Sequence, residues 1–103
     1  MTHTVFINGF AWEVSFKTKP TEALVHNNGY CSYEEQHIYI LGCLSPQNKQ
    51  MALIHELTHA FEYQHGLCDR ASDNKHEDLA EFVALYGVQI FNIANGILEG
   101  ESK

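Results

Sequence analysis

The segment from Ser45 to Gly66 carries a nearly complete set of signals for one long amphipathic helix. Ser45 offers a hydroxyl at the N-cap, Pro46 follows where a missing N–H costs nothing, and Gly66 is a natural stop. Apolar residues recur at the spacing of a helix with one face in the core; they are Met51, Leu53, Ile54, Leu57, Ala60 and Phe61. We predict a helix from Pro46 to about Gln64 or His65.

Two hairpins are predicted before this helix and a second helix after it. Residues 5–7 and 12–16 flank Asn8-Gly9, a strong hairpin signal, and residues 30–32 and 37–41 suggest a second hairpin. A second apolar stripe predicts a helix from about residue 74 or 75 to Ala94, ending near Asn95-Gly96; its members are Leu79, Val83, Tyr86, Ile90 and Ile93. The expected fold is α+β, with a small antiparallel sheet of three or four strands followed by two long helices.

Composition limits the class of protein. With 103 residues, of which 45% are hydrophobic, the chain is long enough for one core, so we expect a single domain over residues 1–103. The net charge of -7 would repel phosphate, which argues against a nucleic-acid partner. No continuous apolar run reaches the ~18 residues of a membrane span, and no signal peptide is recognisable. We therefore expect a soluble cytoplasmic protein without membrane contact.

The three cysteines are not expected to carry chemistry. Cys31, Cys43 and Cys68 are odd in number and show no CxxC spacing. Disulfides are rare in cytosolic proteins, so these residues are expected to be reduced structural thiols and not metal ligands.

The predicted first helix contains the pentapeptide HExxH, formed by His55, Glu56, Leu57, Thr58 and His59. Side chains four residues apart lie on one helical face, so both imidazoles could reach one Zn²⁺. Glu56 would be angled toward a water activated by the metal and could act as its general base. Because two imidazoles alone make a weak site, we expect a third protein ligand.

Three residues are candidates for the third ligand. His65 has the spacing of the HExxHxxGxxH pattern, but Glu62 replaces the glycine that turns the chain there. Glu77 shares a stripe of the second helix with small residues that could approach another backbone closely; the other members are Ala80, Ala84, Gly87 and Phe91. This placement favours Glu77 and a His₂Glu ligand set, and Glu81, one turn further on, is the rival.

The chain resembles the minimal zincin-like metallopeptidases of phages and other mobile elements, distant relatives of the ImmA/IrrE and SprT-type zinc proteases. The resemblance rests on residues 52–61 and 76–84, with the hairpin at residues 7–12 and the helix start at 44–46. Alignment on residues 81–84 implies that the family's metal-binding carboxylate corresponds to Glu77. His76 departs from the pattern, because family members often have an acidic residue there.

Motif and resemblance together predict a zinc-dependent metallopeptidase acting on a peptide or protein. Residues 37–41 could bind an extended substrate if they form the sheet edge beside the active helix. Candidate donors to the developing oxyanion are Tyr39, Tyr63, His65 and Tyr86. The alternative is a non-enzymatic zinc-binding interaction or inhibitor protein of a mobile element, which would have no need of Glu56 beside an open metal position.

Overall fold

The computed structural model describes residues 2–18, 24, 27–66 and 75–101, with the side chains of the last segment described from residue 79 onward. Four strands precede two helices, which confirms the α+β fold. The elements are β1 (Thr2–Ile7), β2 (Phe10–Lys17), β3 (Gly29–Ser32), β4 (His37–Leu41), α1 (Pro46–Gln64) and α2 (Lys75–Glu101).

Both predicted hairpins form, but the sheet is mixed and not purely antiparallel. Asn8 and Gly9 have positive φ angles of 51° and 84°, as the tight turn between β1 and β2 requires. The strand order is β1-β2-β4-β3, and β4 pairs with β2 in parallel. Strand β4 therefore lies between β2 and β3. Its Ile38 and Ile40 are fully buried, which suits an interior position, whereas β3 has only four residues and forms an edge.

Local signals at both ends of α1 act as predicted. The Ser45 hydroxyl accepts a hydrogen bond from the Asn48 N–H at 3.3 Å, and Gly66 adopts a φ of 71° just after the helix. The core face contains Ala52, Leu53, Glu56, Leu57, Ala60 and Phe61. Met51, predicted to belong to this face, is 69% exposed, whereas the neighbouring Ala52 is buried.

Helix α2 continues past the predicted stop at Asn95-Gly96 and ends at Glu101. Tertiary contacts outweigh the local breaking signal, because Ala94 and Ile97 on either side of it are buried in the core. The last turn is joined to β1 by a 2.7 Å contact between His3 Nε2 and Glu101 Oε2. A glycine within a helix costs only about 1 kcal/mol, which this packing offsets.

The N-terminal part of α2 is less buried than its apolar stripe predicted. Ile90 is buried, but Leu79 and Val83 are 62% and 55% exposed and line an open groove of about 340 Å³ with Ile54 and Thr58 of α1. Two of the three small residues expected to approach another backbone, Ala80 and Ala84, are exposed, whereas Gly87 lines the groove with Ile54 and Thr58. The α2 face that contacts α1 contains Phe82 and Tyr86 in their place.

Helix α2 is also long and apolar enough, by length and composition, to cross a membrane. This candidate span covers Leu79–Glu101, 23 residues with a mean hydropathy of 1.3, and 17% of its 18-residue window is buried. The expectation of no membrane contact rested on continuous apolar runs, whereas polar residues such as Gln89 and Asn92 interrupt this helix. Length and composition alone are weak evidence for a span, because core helices of soluble proteins meet the same criteria.

The sheet face opposite α1 carries a polar chain of contacts centred on His37. Its Nε2 lies 2.7 Å from Ser15 Oγ, and its ring stacks on Tyr39 with centroids 4.2 Å apart. Burial lowers the pKa of His37 below 6.5, against the opposing effects of Glu35 and Glu13 and with a smaller contribution from Lys17. The folded state therefore favours the neutral imidazole.

Protonation of His37 should consequently lower the free energy of unfolding as the pH falls. A histidine whose pKa is lower in the folded state contributes fully above its unfolded pKa of 6.5 and loses that contribution as pH falls below it. We expect the difference in urea midpoint between wild type and His37→Gln to shrink from pH 8 to pH 5. Because both proteins carry the other histidines, the pH dependence that those histidines contribute cancels in the difference. A difference that stays constant over this range would contradict the assignment.

Candidate metal centre

The two histidines of the HExxH motif converge at one point above α1. Their Nε2 atoms lie 3.1 Å apart, and their ring planes meet at 79°. A tetrahedral Zn²⁺ with Zn–N bonds of ~2.0–2.1 Å places two imidazole nitrogens about 3.3 Å from each other. His55 is exposed and His59 is half-buried, so the point of convergence is open to solvent. The pair fits two adjacent ligands of one zinc ion.

A carboxylate lies against the second nitrogen of His59. Glu62 Oε1 is 3.5 Å from His59 Nδ1, an i,i+3 relationship on α1. Metal-binding histidines commonly have such a partner on the nitrogen away from the metal, where it orients the ring. The distance exceeds that of a normal hydrogen bond, so the contact is electrostatic. The i,i+3 spacing of Glu62 from His59 is the sequence signal for this contact, which the HExxH pattern does not include.

Glu56 follows His55 in α1, and its side chain reaches toward strand β3. Its side chain is 8% exposed and lies against Gly29. Burial raises the pKa of Glu56 above the ordinary 4.5, while positive charge on His55 and His59 acts in the opposite direction. A carboxylate with a raised pKa is a better proton acceptor, which is the property that a general base requires.

The third ligand remains a prediction. Glu77 belongs to the first turn of α2, but its side chain lies outside the described residues. Tyr86, nine residues later and about 13 Å along the helix, contacts Phe61 of α1, with ring centroids 5.9 Å apart, and His65 just after α1, with ring centroids 4.3 Å apart. Among the side chains that the structure describes, no group of three His, Cys, Asp or Glu residues could hold a metal ion, and Glu77, Glu81 and His65 all stay candidates for the third ligand.

The oxyanion candidates separate by position. Tyr39 alternates with the buried Ile38 and Ile40, so it lies on the sheet face away from α1, where its hydroxyl donates to Glu35 at 2.9 Å. The Tyr86 hydroxyl lies 3.3 Å from His65 Nδ1 on the α2 side of α1. Tyr63 is one turn beyond His59 and stacks on Tyr33, with centroids 4.7 Å apart. Of the four candidates, Tyr63 lies nearest in helical position to the imidazoles.

The predicted substrate edge is wrong in one respect. Strand β4 is interior to the sheet, because it pairs with β2 on one side and β3 on the other. Strand β3, which packs beside Glu56 of α1, forms the sheet edge within the described chain. An extended peptide that joined the sheet on this side would pair with β3.

Cys31 and Cys43 form no disulfide in the described part of the chain, and Cys68 falls outside it.

Comparisons with protein-family models, with curated proteins and with solved structures found no match.

Proposed function

We propose that the protein is a zinc-dependent metallopeptidase. The observation that carries this proposal is the 3.1 Å separation of His55 Nε2 and His59 Nε2, with Glu56 between them in sequence. The resemblance to minimal zincin-like metallopeptidases supports the same activity. His55 and His59 would hold Zn²⁺, and Glu77 is the proposed third ligand. The bound ion would supply an acidified water and polarise the scissile carbonyl.

Glu56 is the proposed proton carrier of the reaction. Its carboxylate accepts the proton of the attacking water and then delivers it to the amine of the leaving peptide. Contact with strand β3 holds the side chain in one place, which lowers the cost of reaching a reactive geometry. A peptide paired with the outer edge of β3 would pass beside this carboxylate.

A zinc-binding protein without catalytic activity is the second candidate. It is favoured by the openness of the site, because His55 is exposed. A direct N–H···N hydrogen bond between two neutral imidazoles would also hold their nitrogens at this distance. Metal content and cleavage therefore have to be measured separately.

Elemental analysis of the purified protein should find about one zinc per chain. Cleavage of a diverse peptide library should accompany it, disappear on chelation and return when zinc is added back. His55→Ala with His59→Ala should remove both the zinc and the cleavage. Zinc without cleavage of any peptide would favour the binding protein, and no zinc in wild type would exclude both candidates.

A further inference from the structure

Gly29, the first residue of β3, lies directly against the side chain of Glu56. A Cβ atom built at Gly29 would be 2.9 Å from Glu56 Cγ and 3.1 Å from Glu56 Oε2. The same atom would lie 3.1 Å from Cδ1 of Ile40 on the neighbouring strand. The space next to the carboxylate therefore exists because residue 29 has no side chain.

The glycine is needed here for space and not for backbone conformation. Among the described glycines, Gly9 and Gly66 have positive φ angles and Gly29 does not. A glycine inside a strand weakens it, and one use of such a residue is to admit a close approach by another group. Here the approaching group is Glu56.

The contact involves the part of Glu56 that cannot easily move aside. Its Cγ is in the middle of the side chain, so avoiding a methyl group at position 29 requires rotation of the whole side chain. The side chain is 8% exposed and packs between α1 and β3, which leaves few alternative rotamers. Ile40, by contrast, contacts the same space with the flexible end of its side chain.

We propose that Gly29 is a positioning residue for Glu56, setting the rotamer in which the carboxylate meets its water. The catalytic part of this proposal rests on the proposed peptidase function, whereas the steric part does not. Gly29 thereby links the proposed substrate edge to the proposed base. It belongs to the edge strand β3, and it restricts the rotamers available to the Glu56 side chain.

The steric part is tested by a double-mutant cycle on the metal-free protein. Gly29→Ala should lower the thermal midpoint of wild type. In the Glu56→Ala background, which lacks Cγ and the carboxylate, Gly29→Ala should lower the thermal midpoint much less or should raise it. Gly96→Ala is the matched control, because a Cβ there meets nothing within 4 Å, and it should act equally in both backgrounds. If Gly29→Ala does not fold alone but folds together with Glu56→Ala, the rescue supports the proposal.

The catalytic part is tested by kinetics of the zinc-loaded protein. Gly29→Ala should retain about one zinc per chain and lower kcat by tenfold or more with little change in KM, whereas Gly96→Ala should match wild type. An additive cycle, or an unchanged kcat in Gly29→Ala, would overturn the proposal. If the cycle is non-additive but wild type cleaves no peptide, the steric relationship between Gly29 and Glu56 holds and the peptidase function is rejected.

Discussion

Replacing Glu56 by Gln is expected to lower kcat by ~10²–10⁴-fold, the usual contribution of a general base. Gln has nearly the same shape, so it fits the space beside Gly29, but its amide cannot accept the proton of the attacking water. The zinc content should remain that of wild type, because His55 and His59 are untouched. Steady-state kinetics and elemental analysis on one preparation measure both effects, and Glu99→Gln, an exposed position of α2, is the control. Full activity of Glu56→Gln would exclude this base.

The same substitution should stabilise the metal-free protein. Because burial raises the pKa of Glu56, the folded state favours the protonated carboxyl and is disfavoured by its ionisation at neutral pH. The thermal midpoint of Glu56→Gln should therefore exceed that of wild type at pH 7. The gain should disappear below pH 4.5, where the carboxyl is protonated in both folded and unfolded chains. A stabilised but inactive variant is the pattern expected when a functional group is kept at a cost in stability.

Replacing Glu77 by Gln is expected to produce the second large effect, a loss of zinc. A direct ligand should contribute more than the ~10–100-fold in affinity that an outer partner contributes. Zinc affinity is measured by competition with a chromophoric chelator. Glu81→Gln is the matched control, because this carboxylate lies one turn further along α2, is exposed and belongs to no described metal-binding group.

The reverse pattern would reassign the third ligand. Loss of zinc in Glu81→Gln with retention in Glu77→Gln would identify Glu81. Retention in both variants would exclude both Glu77 and Glu81 as the third ligand. Because Glu81 is exposed, the thermal midpoint of metal-free Glu81→Gln should match wild type. The midpoint of metal-free Glu77→Gln is measured beside it, which separates ligand loss from unfolding.

Local sequence signals predicted the ends of most elements. Asn8-Gly9 was sufficient to predict the first turn, and Ser45-Pro46 with Gly66 predicted both ends of α1, because each signal acts within a few residues. The four-residue spacing of His55 and His59 predicted convergent imidazoles for the same reason, and their Nε2 atoms do lie 3.1 Å apart.

The errors occurred where distant residues decide the outcome. Asn95-Gly96 is a local stop signal, yet α2 continues because Ala94 and Ile97 are buried against the rest of the fold. The stripe of small residues on α2 predicted a close approach to α1, but Ala80 and Ala84 are exposed. Periodicity indicates which residues share a face of a helix and does not indicate what that face meets.

The sequence by itself determined the class of fold, the helix that carries HExxH and the two imidazoles able to share a metal, since all of these depend on neighbours along the chain. Tertiary structure alone decided that β4 lies between β2 and β3, that β3 forms an edge and that Gly29 lies against Glu56. These relationships join residues far apart in sequence. Their positions follow from how the sheet and helices bury apolar surface together, which no local pattern specifies.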